Sequence, residues 1–446
     1  MCDIVFVTVD SLRVDHVGWH GYDRDTTPFL DGLAEGGHTF ERAFATGECT
    51  RTSFPGLLTS VYASMYGGKE RLSDRQVPVA EPLRSAGYAT AGFHSNPHLL
   101  PKFGYDRGFD TFYDSNTKTS RLARLRQWVK DNLDQSGLLY RSLERAFAAS
   151  EETVGFNPGT PFVLADELTD RAIEWATSVD GSDWFLWVHY MDVHHPYSPP
   201  DRFQREFRES PVSERRAVKL RRKMLEEPEA ITDAELRTLI DLYDGEIRFV
   251  DHEVQRLVET VRAEWESDPI VVFTSDHGDE FLDHGQFSHL KTLYDELLHV
   301  PLLLHDGEGS GTYDDVVELI DVPPTLLSYA DADAPSTYEG SSLRPVLDGD
   351  GKDKQHAVCD AGDTVSYRDE RWKYIERPDA VELYDARNDP DETDDIAANH
   401  PEVVDDLAAV LDAHRERVAD TDEDLDDVEF DGEVQDRLEQ LGYLQE

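Results

Sequence analysis

Short, dense apolar runs punctuate the chain, and each ends on a residue able to carry chemistry. Ile4-Val5-Phe6-Val7-Thr8-Val9 ends at Asp10, Trp184-Phe185-Leu186-Trp187-Val188 at His189, and Ile270-Val271-Val272-Phe273-Thr274-Ser275 at Asp276. Runs this continuous, rich in β-branched and aromatic residues, predict strands buried on both faces, as in a parallel sheet. Between them the apolar spacing turns helical, over 28–35, 164–178 and 233–264. Strands alternating with helices predict an α/β fold, a mostly parallel sheet sandwiched by helices. Ligands gather at the carboxyl ends of such strands, and three strands here deliver Asp or His to that edge.

After Leu347-Asp348-Gly349-Asp350-Gly351 the pattern changes. Strand-like pieces at 357–360 and 372–375 precede a helix near 401–418. This predicts a main catalytic domain over 1–350 and a small C-terminal α+β subdomain over 351–446, whose stretch 420–433 is a strongly acidic tail before a last turn of helix. Two segments break the acidic trend: 118–145 holds seven Lys/Arg against three Asp/Glu, and 202–223 holds nine against three. They mark helical insertions over about 115–150 and 202–230. Their cations either pair with the acidic body, or steer an anionic substrate or touch an anionic surface such as a lipid or polysaccharide.

The 446 residues carry 43 Lys+Arg and 93 Asp+Glu, a formal charge of −50, spread along the whole length. Such a field repels phosphate backbones, so nucleic acid is excluded as a partner. It also suits a protein kept soluble at very high salt, where self-repulsion is screened, and predicts a halophilic protein. With 39% hydrophobic and 10% aromatic residues, a sizeable core is available. No apolar run approaches the ~18 residues of a transmembrane segment. The start lacks a basic leader region, and the three cysteines, Cys2, Cys49 and Cys359, make no disulfide framework. A cytoplasmic location is the expectation.

Four segments concentrate chemistry. Asp10 at its strand end, followed by Ser11-Leu12-Arg13-Val14-Asp15-His16, offers a carboxylate to a hard metal or to a helix cap. In 46–60, small hydroxyl residues around Thr50 precede an apolar helical run. A loop entering a helix N-terminus suits an anion and an activated nucleophile, or a plain N-cap. In 276–289, seven acidic or imidazole groups, among them Asp276, His277, His284 and His289, fall within 14 positions. That density after a buried strand points to metal and acid–base work. Finally, His189-Tyr190-Met191-Asp192-Val193-His194-His195-Pro196-Tyr197 sets three histidines on a path stiffened by proline.

In this order the motifs resemble the sulfatase family of the alkaline phosphatase superfamily. Val9-Asp10-Ser11-Leu12-Arg13-Val14-Asp15-His16-Val17-Gly18 is similar to the family's opening motif, Asp192-Val193-His194-His195-Pro196-Tyr197 to its central Asp-x-His-x-Pro-Tyr, and Ser275-Asp276-His277-Gly278-Asp279 to Ser-Asp-His-Gly-Glu. The stretch 294–301, Trp372-Lys373-Tyr374, Glu382-Leu383-Tyr384-Asp385 and Leu441-Gly442-Tyr443-Leu444 resemble its later landmarks. Three departures stand out. Cys49-Thr50-Arg51-Thr52-Ser53 lacks the proline and arginine that follow the family's oxidised cysteine, and counting back from Leu57-Leu58-Thr59 puts the nucleophile position on Thr50. Ser11 stands where a second Asp is expected, and Asn96-Pro97-His98 replaces Lys-x-His.

The resemblance implies an alkaline-phosphatase-like fold and a metal-dependent hydrolase of sulfate or phosphate esters. Asp10, Asp276, His277 and Thr50 would face one divalent cation (Mn, Zn, Mg or Ca, with calcium disfavoured by the imidazole). Thr50 would attack, and His194 and His289 would bind the anion or protonate the leaving oxygen. Asn96, His98, Asp192 and His284 are further substrate-binding candidates. Asp192, His194 and His289 are an alternative second-metal set about 4 Å away. The substrate expected is a small-molecule or glycan ester. A phosphodiesterase, a phosphoglycan transferase or a non-catalytic anion-binding module remain alternatives.

Overall fold

The computed structural model describes residues 2–421 apart from 68–70, 116–161, 182, 266–267 and 290–291, together with 423, 434–435 and 438. The basic segment at 118–145, the insertion expected over 115–150, most of the acidic tail and the motif at 441–444 lie outside the described residues. The strands are β1 (Ile4–Val9), β2 (His38–Phe44), β3 (Ala89–Phe93), β4 (Thr111–Tyr113), β5 (Trp184–Tyr190), β6 (Ile270–Ser275), β7 (Glu280–Phe281), β8 (Phe287–Ser288), β9 (Leu302–His305) and β10 (Gly311–Glu318). Four more, β11 (Ala357–Asp360), β12 (Val365–Arg368), β13 (Trp372–Arg377) and β14 (Ala380–Asp385), form a separate antiparallel sheet.

Eight strands make the main sheet in the order β10-β2-β9-β6-β1-β5-β3-β4. Every neighbouring pair is parallel except those made by β9, which runs against β2 and β6. The alternation along β1 explains why the apolar runs are continuous. Val5, Val7 and Val9 pack on one face with Leu186, Val188 and the helix Asp233–Trp265, while Ile4 and Phe6 pack on the other with Trp187 and the helix Thr50–Thr59. Both faces are covered, so neither set of alternate positions is polar. Residues expected as helical over 28–35, 164–178 and 233–264 form the helices Pro28–Glu35, Ala165–Ala176 and Asp233–Trp265. Within 202–230 lie the helices Asp201–Phe207 and Glu214–Glu226. Among the described residues, no helix is long and apolar enough to cross a membrane.

The second sheet is the small C-terminal α+β part. The helix Pro401–Ala419 covers one face through Leu407 and Leu411, and Ile375 and Tyr384 on the other join Phe44, Tyr294 and Leu297 of the main body. One charged contact locks this junction. Lys373 is fully buried, with Nζ 2.7 Å from Asp295 and 3.5 Å from Glu392, and Arg368 also holds Asp295 at 2.8 Å. Removing one member of a buried ion pair leaves an uncompensated charge. Lys373→Ala should therefore lower the unfolding free energy by about 3 kcal/mol, the low end for such a deletion because Arg368 stays on Asp295. Urea unfolding measures it; a loss under about 1 kcal/mol, the worth of an exposed pair, would show that this contact does not hold the junction.

Candidate active site and metal centre

Strand register assembles the site. β1 lies between β5 and β6, with Thr8 opposite His189 and Thr274, and Val9 opposite Tyr190 and Ser275. The ladder runs one residue further, as Asp10 N donates to Tyr190 O at 2.9 Å and Asp276 N to Val9 O at 3.3 Å. Asp10, His189 and Asp276 thus reach the same edge from three adjacent strands. All three are buried, and one ligand atom from each lies within 4.8 Å of the others. His277 approaches the same carboxylates, its Nε2 3.9 Å from Asp10 Oδ1 and 3.5 Å from Asp276 Oδ2.

These groups are almost all acceptors. His277 Nδ1 donates to Gly278 O at 2.7 Å, so the neutral ring carries its lone pair on Nε2. Burial, with His289 adding to it, pushes His277 down to about 4, which keeps that lone pair available. His189 is oriented by Thr8, whose hydroxyl lies 3.0 Å from Nδ1 and accepts from the Trp187 indole. Asp276 Oδ2, His189 Nε2 and His277 Nε2 are buried without a hydrogen-bond partner. Burial and then the Asp10 carboxylate push Asp276 up to about 8, whereas Asp10, despite burial, is held well below the usual carboxylate range by His194, His189 and His277. One carboxylate oxygen and two imidazole nitrogens left without donors beside the Asp10 carboxylate fit a divalent cation of mixed N/O preference.

Ser11 is not merely a lost oxygen ligand. It adopts a left-handed conformation (φ 60°), from which its N–H reaches Asp276 Oδ1 at 3.2 Å and its hydroxyl reaches Asp10 Oδ1 at 2.8 Å. One residue thereby fixes both carboxylates. Gly278 matters for a different reason: a Cβ there would sit 1.9 Å from Glu296 O, so only glycine lets this loop close on the main body. Arg13, to which the sequence reading gave no role, pins the loop further, bonding Asp283 at 2.8 Å and Asp279 O at 3.1 Å.

The helix Thr50–Thr59 brings its first residue to this cluster. Thr50 Oγ1 donates to Asp10 Oδ2 at 3.2 Å, and Asn96 Nδ2 donates to the same Asp10 oxygen at 3.0 Å and to Thr50 Oγ1 at 3.4 Å. Cys49, one residue earlier, turns into the helix cap, with Sγ 3.3 Å from Thr52 Oγ1 and 3.9 Å from Glu48 Oε1. Burial and then Glu48 push its thiol up to about 12, far from a thiolate.

Three histidines complete the site. The ring of His289 lies 4.5 Å from that of His277 and 5.1 Å from that of His194. His194 Nδ1 donates to His195 O at 2.6 Å, and burial pushes His194 down to about 4. His289 is raised instead, because Asp279, 3.6 Å from its Nδ1, outweighs the burial. His98 N donates to the Asn96 side chain, and burial, then Arg51, pushes its ring down to about 3.

Two of the expected substrate contacts have other partners among the described residues. β7 and β8 pair as a hairpin, and its tip carries His284 onto Glu296 (2.7 Å), the Glu392 carbonyl (3.2 Å) and the face of Tyr294. Both ring nitrogens are engaged there, against the C-terminal part. Asp192 accepts from Ala165 N at 3.0 Å, capping the helix Ala165–Ala176, and burial pushes it up to about 8. His189, by contrast, joins the centre although the sequence reading gave it no ligand role. The signal was present: it lies at the carboxyl end of a buried apolar run, as Asp10 and Asp276 do.

Residues 3–332 match the sulfatase family profile, and 283–417 match that of the N-sulphoglucosamine sulphohydrolase C-terminal region. An arylsulfatase of Clostridium perfringens is 23% identical over 92% of this chain and 93% of its own. Among solved structures, the phosphonate monoester hydrolase of Agrobacterium radiobacter superposes with a TM-score of 0.71 at 21% identity, covering 94% of this chain and 96% of that one. A protein solved with its substrate D-glucosamine-2-N,6-O-disulfate gives a TM-score of 0.71 at 19% identity, covering 94% of this chain and 99% of that one.

His189→Ala should weaken Mn²⁺ or Zn²⁺ binding by on the order of 100-fold, since even outer-shell losses cost 10–100-fold. Equilibrium dialysis with metal analysis reads this. Undiminished affinity would remove His189 from the centre.

Proposed function

The chain belongs to the sulfatase family of the alkaline phosphatase superfamily and is an ester hydrolase; we propose that it cleaves sulfate or phosphate esters with Thr50 as nucleophile beside a divalent-cation centre of Asp10, His189, Asp276 and His277. The observation that carries this reading is the contact of Thr50 Oγ1 with Asp10 under the Asn96 amide. The donor set favours Mn²⁺, Zn²⁺ or Mg²⁺ over Ca²⁺, which prefers an all-oxygen shell. A cation bound there neutralises the anion's oxygens and lowers the hydroxyl's pKa.

The residues of the chain do the rest. Asp10 takes the proton of the Thr50 hydroxyl as that oxygen attacks sulfur or phosphorus in line and the ester bond to the leaving oxygen breaks; the proton returns to Oγ1 when water cleaves the Thr50 ester. Asn96 donates to the attacked group's oxygens or to Oγ1, holding the nucleophile in one rotamer. His289, kept basic by Asp279, supplies a proton to the leaving oxygen, and His194, largely neutral, accepts one from the water that later cleaves the Thr50 ester. His98 lines the anion's far side. A sulfated sugar is the substrate class supported by the neighbour solved with a glucosamine disulfate.

A second reading keeps the site and changes the anion, to a phosphodiester or a phosphoglycan. Thr50 favours it, because a hydroxyl serves without prior oxidation of a cysteine. The contacts joining Thr50, Asp10 and Asn96 speak against a non-catalytic anion-binding module, which has no need of an oriented hydroxyl.

Thr50→Ala should lower turnover of 4-nitrophenyl sulfate and phosphate by about 10⁴-fold or more, the scale of losing a nucleophile. Cys49→Ser should stay within about threefold of the parent chain. The reverse pattern, with a formylglycine mass at residue 49, would overturn the assignment. The ratio of the two turnover rates decides between sulfate and phosphate.

A further inference from the structure

In a chain with 93 acidic residues against 43 basic ones, cations find acidic partners easily, and most exposed arginines do. Arg84 sits on Asp110, Arg371 on Asp385 and Arg387 on Glu370. The helix Glu214–Glu226 differs. It holds six Lys/Arg against two Glu, and among the described residues Arg215, Arg216 and Lys219 make no ion pair. All three are exposed, together with Arg222, which pairs with Glu226 one turn on, and with Val218, 48% exposed. Positions 215, 219 and 222 share one stripe and lie about 6 and 4.5 Å apart along the axis. The opposite stripe, Ala217, Leu220 and Met224, is buried in the core.

The same helix touches the site. Arg221 Nε donates to His195 Nδ1 at 3.3 Å, which makes Nε2 the protonated nitrogen of His195, 3.2 Å from Ser288 Oγ. Ser288, with φ 72°, immediately precedes His289. The cationic stripe is therefore tied through two side chains to the loop carrying the proposed acid.

We propose that the outer face of the helix Glu214–Glu226 is an exosite for a linear polyanion, engaging charges on units next to the ester presented to Thr50. The occupant argued here is a sulfated or phosphorylated glycan; charge complementarity, in a chain that otherwise repels anions, is what selects it. This rests on the proposed hydrolase reading for its setting. Its test does not, because binding is read without turnover.

The experiment titrates the intact chain with heparin oligosaccharide at several salt concentrations. Three proteins are compared: the parent, R215Q/R216Q/K219Q, and a control of equal net charge, R84Q/R371Q/R387Q. The proposal expects the helix variant to lose about tenfold or more in affinity and two to three units of salt slope, about one per cation removed. The control should stay within about twofold, and aryl ester turnover should be unchanged in both. Equal losses in the two variants, no loss in either, or no heparin binding by the parent would each overturn it. So would preferential, helix-dependent binding of phosphatidylserine vesicles, which would assign the face to a lipid surface. An inactive Thr50→Ala with intact heparin binding separates this claim from the catalytic one.

Discussion

Buried acceptors that face one another, three of them with no donor, are the constraint on which this molecule turns. Asp10, His189, Asp276 and His277 bring carboxylate oxygens and imidazole lone pairs into one buried space. Left to themselves such groups repel, and burial makes the repulsion stronger. The chain can hold them together only because each sits within two residues of the carboxyl end of a strand buried on both faces. β1, β5 and β6 cannot slip by a residue without turning their apolar sets and their terminal ligands to the wrong side. The stability of the sheet thus keeps an electrostatically unfavourable cluster in register, one that a bound cation would compensate.

Around that cluster the supporting contacts divide the labour. Ser11 fixes the two carboxylates from below, Thr8 turns His189, and the Gly278 carbonyl sets the tautomer of His277. Thr50 enters from a helix that packs on the opposite face of the sheet, so its hydroxyl meets Asp10 without loop flexibility. The C-terminal sheet contributes at one remove: Lys373 and Arg368 hold Asp295, next to Glu296 and Leu297, whose backbone receives Gly278. Family membership places this chain among ester hydrolases, and the Thr50–Asp10 contact is the feature on which the proposed threonine nucleophile rests.

Much of this was legible in the residue order, and the misses have physical causes. The apolar runs ending at Asp10, His189 and Asp276 announced a parallel sheet, because burial on both faces leaves no polar alternation. Asp10, Asp276, His277, Thr50 and Asn96 do stand together. His189 is legible as lying at a strand end, and its register against Thr8 adds what the residue order lacks, the neighbours it meets there. His284 was hidden the other way. It lies in the densest run of acids and imidazoles, but the β7–β8 hairpin delivers it to Glu296 and Glu392. Asp192 gives one oxygen to a helix N-terminus, a contact that residue spacing does not encode. Ser11 and Arg221 act through a backbone angle and a tertiary contact, neither of which residue spacing encodes.

The most direct test is anomalous diffraction from crystals of the full chain grown with Mn²⁺, collected at the manganese edge. The account predicts one strong peak within about 2–2.6 Å of ligand atoms of Asp10, Asp276 and at least one of His189 and His277, with Thr50 Oγ1 facing it. A peak elsewhere, or none at these four residues in metal-saturated crystals, would contradict it.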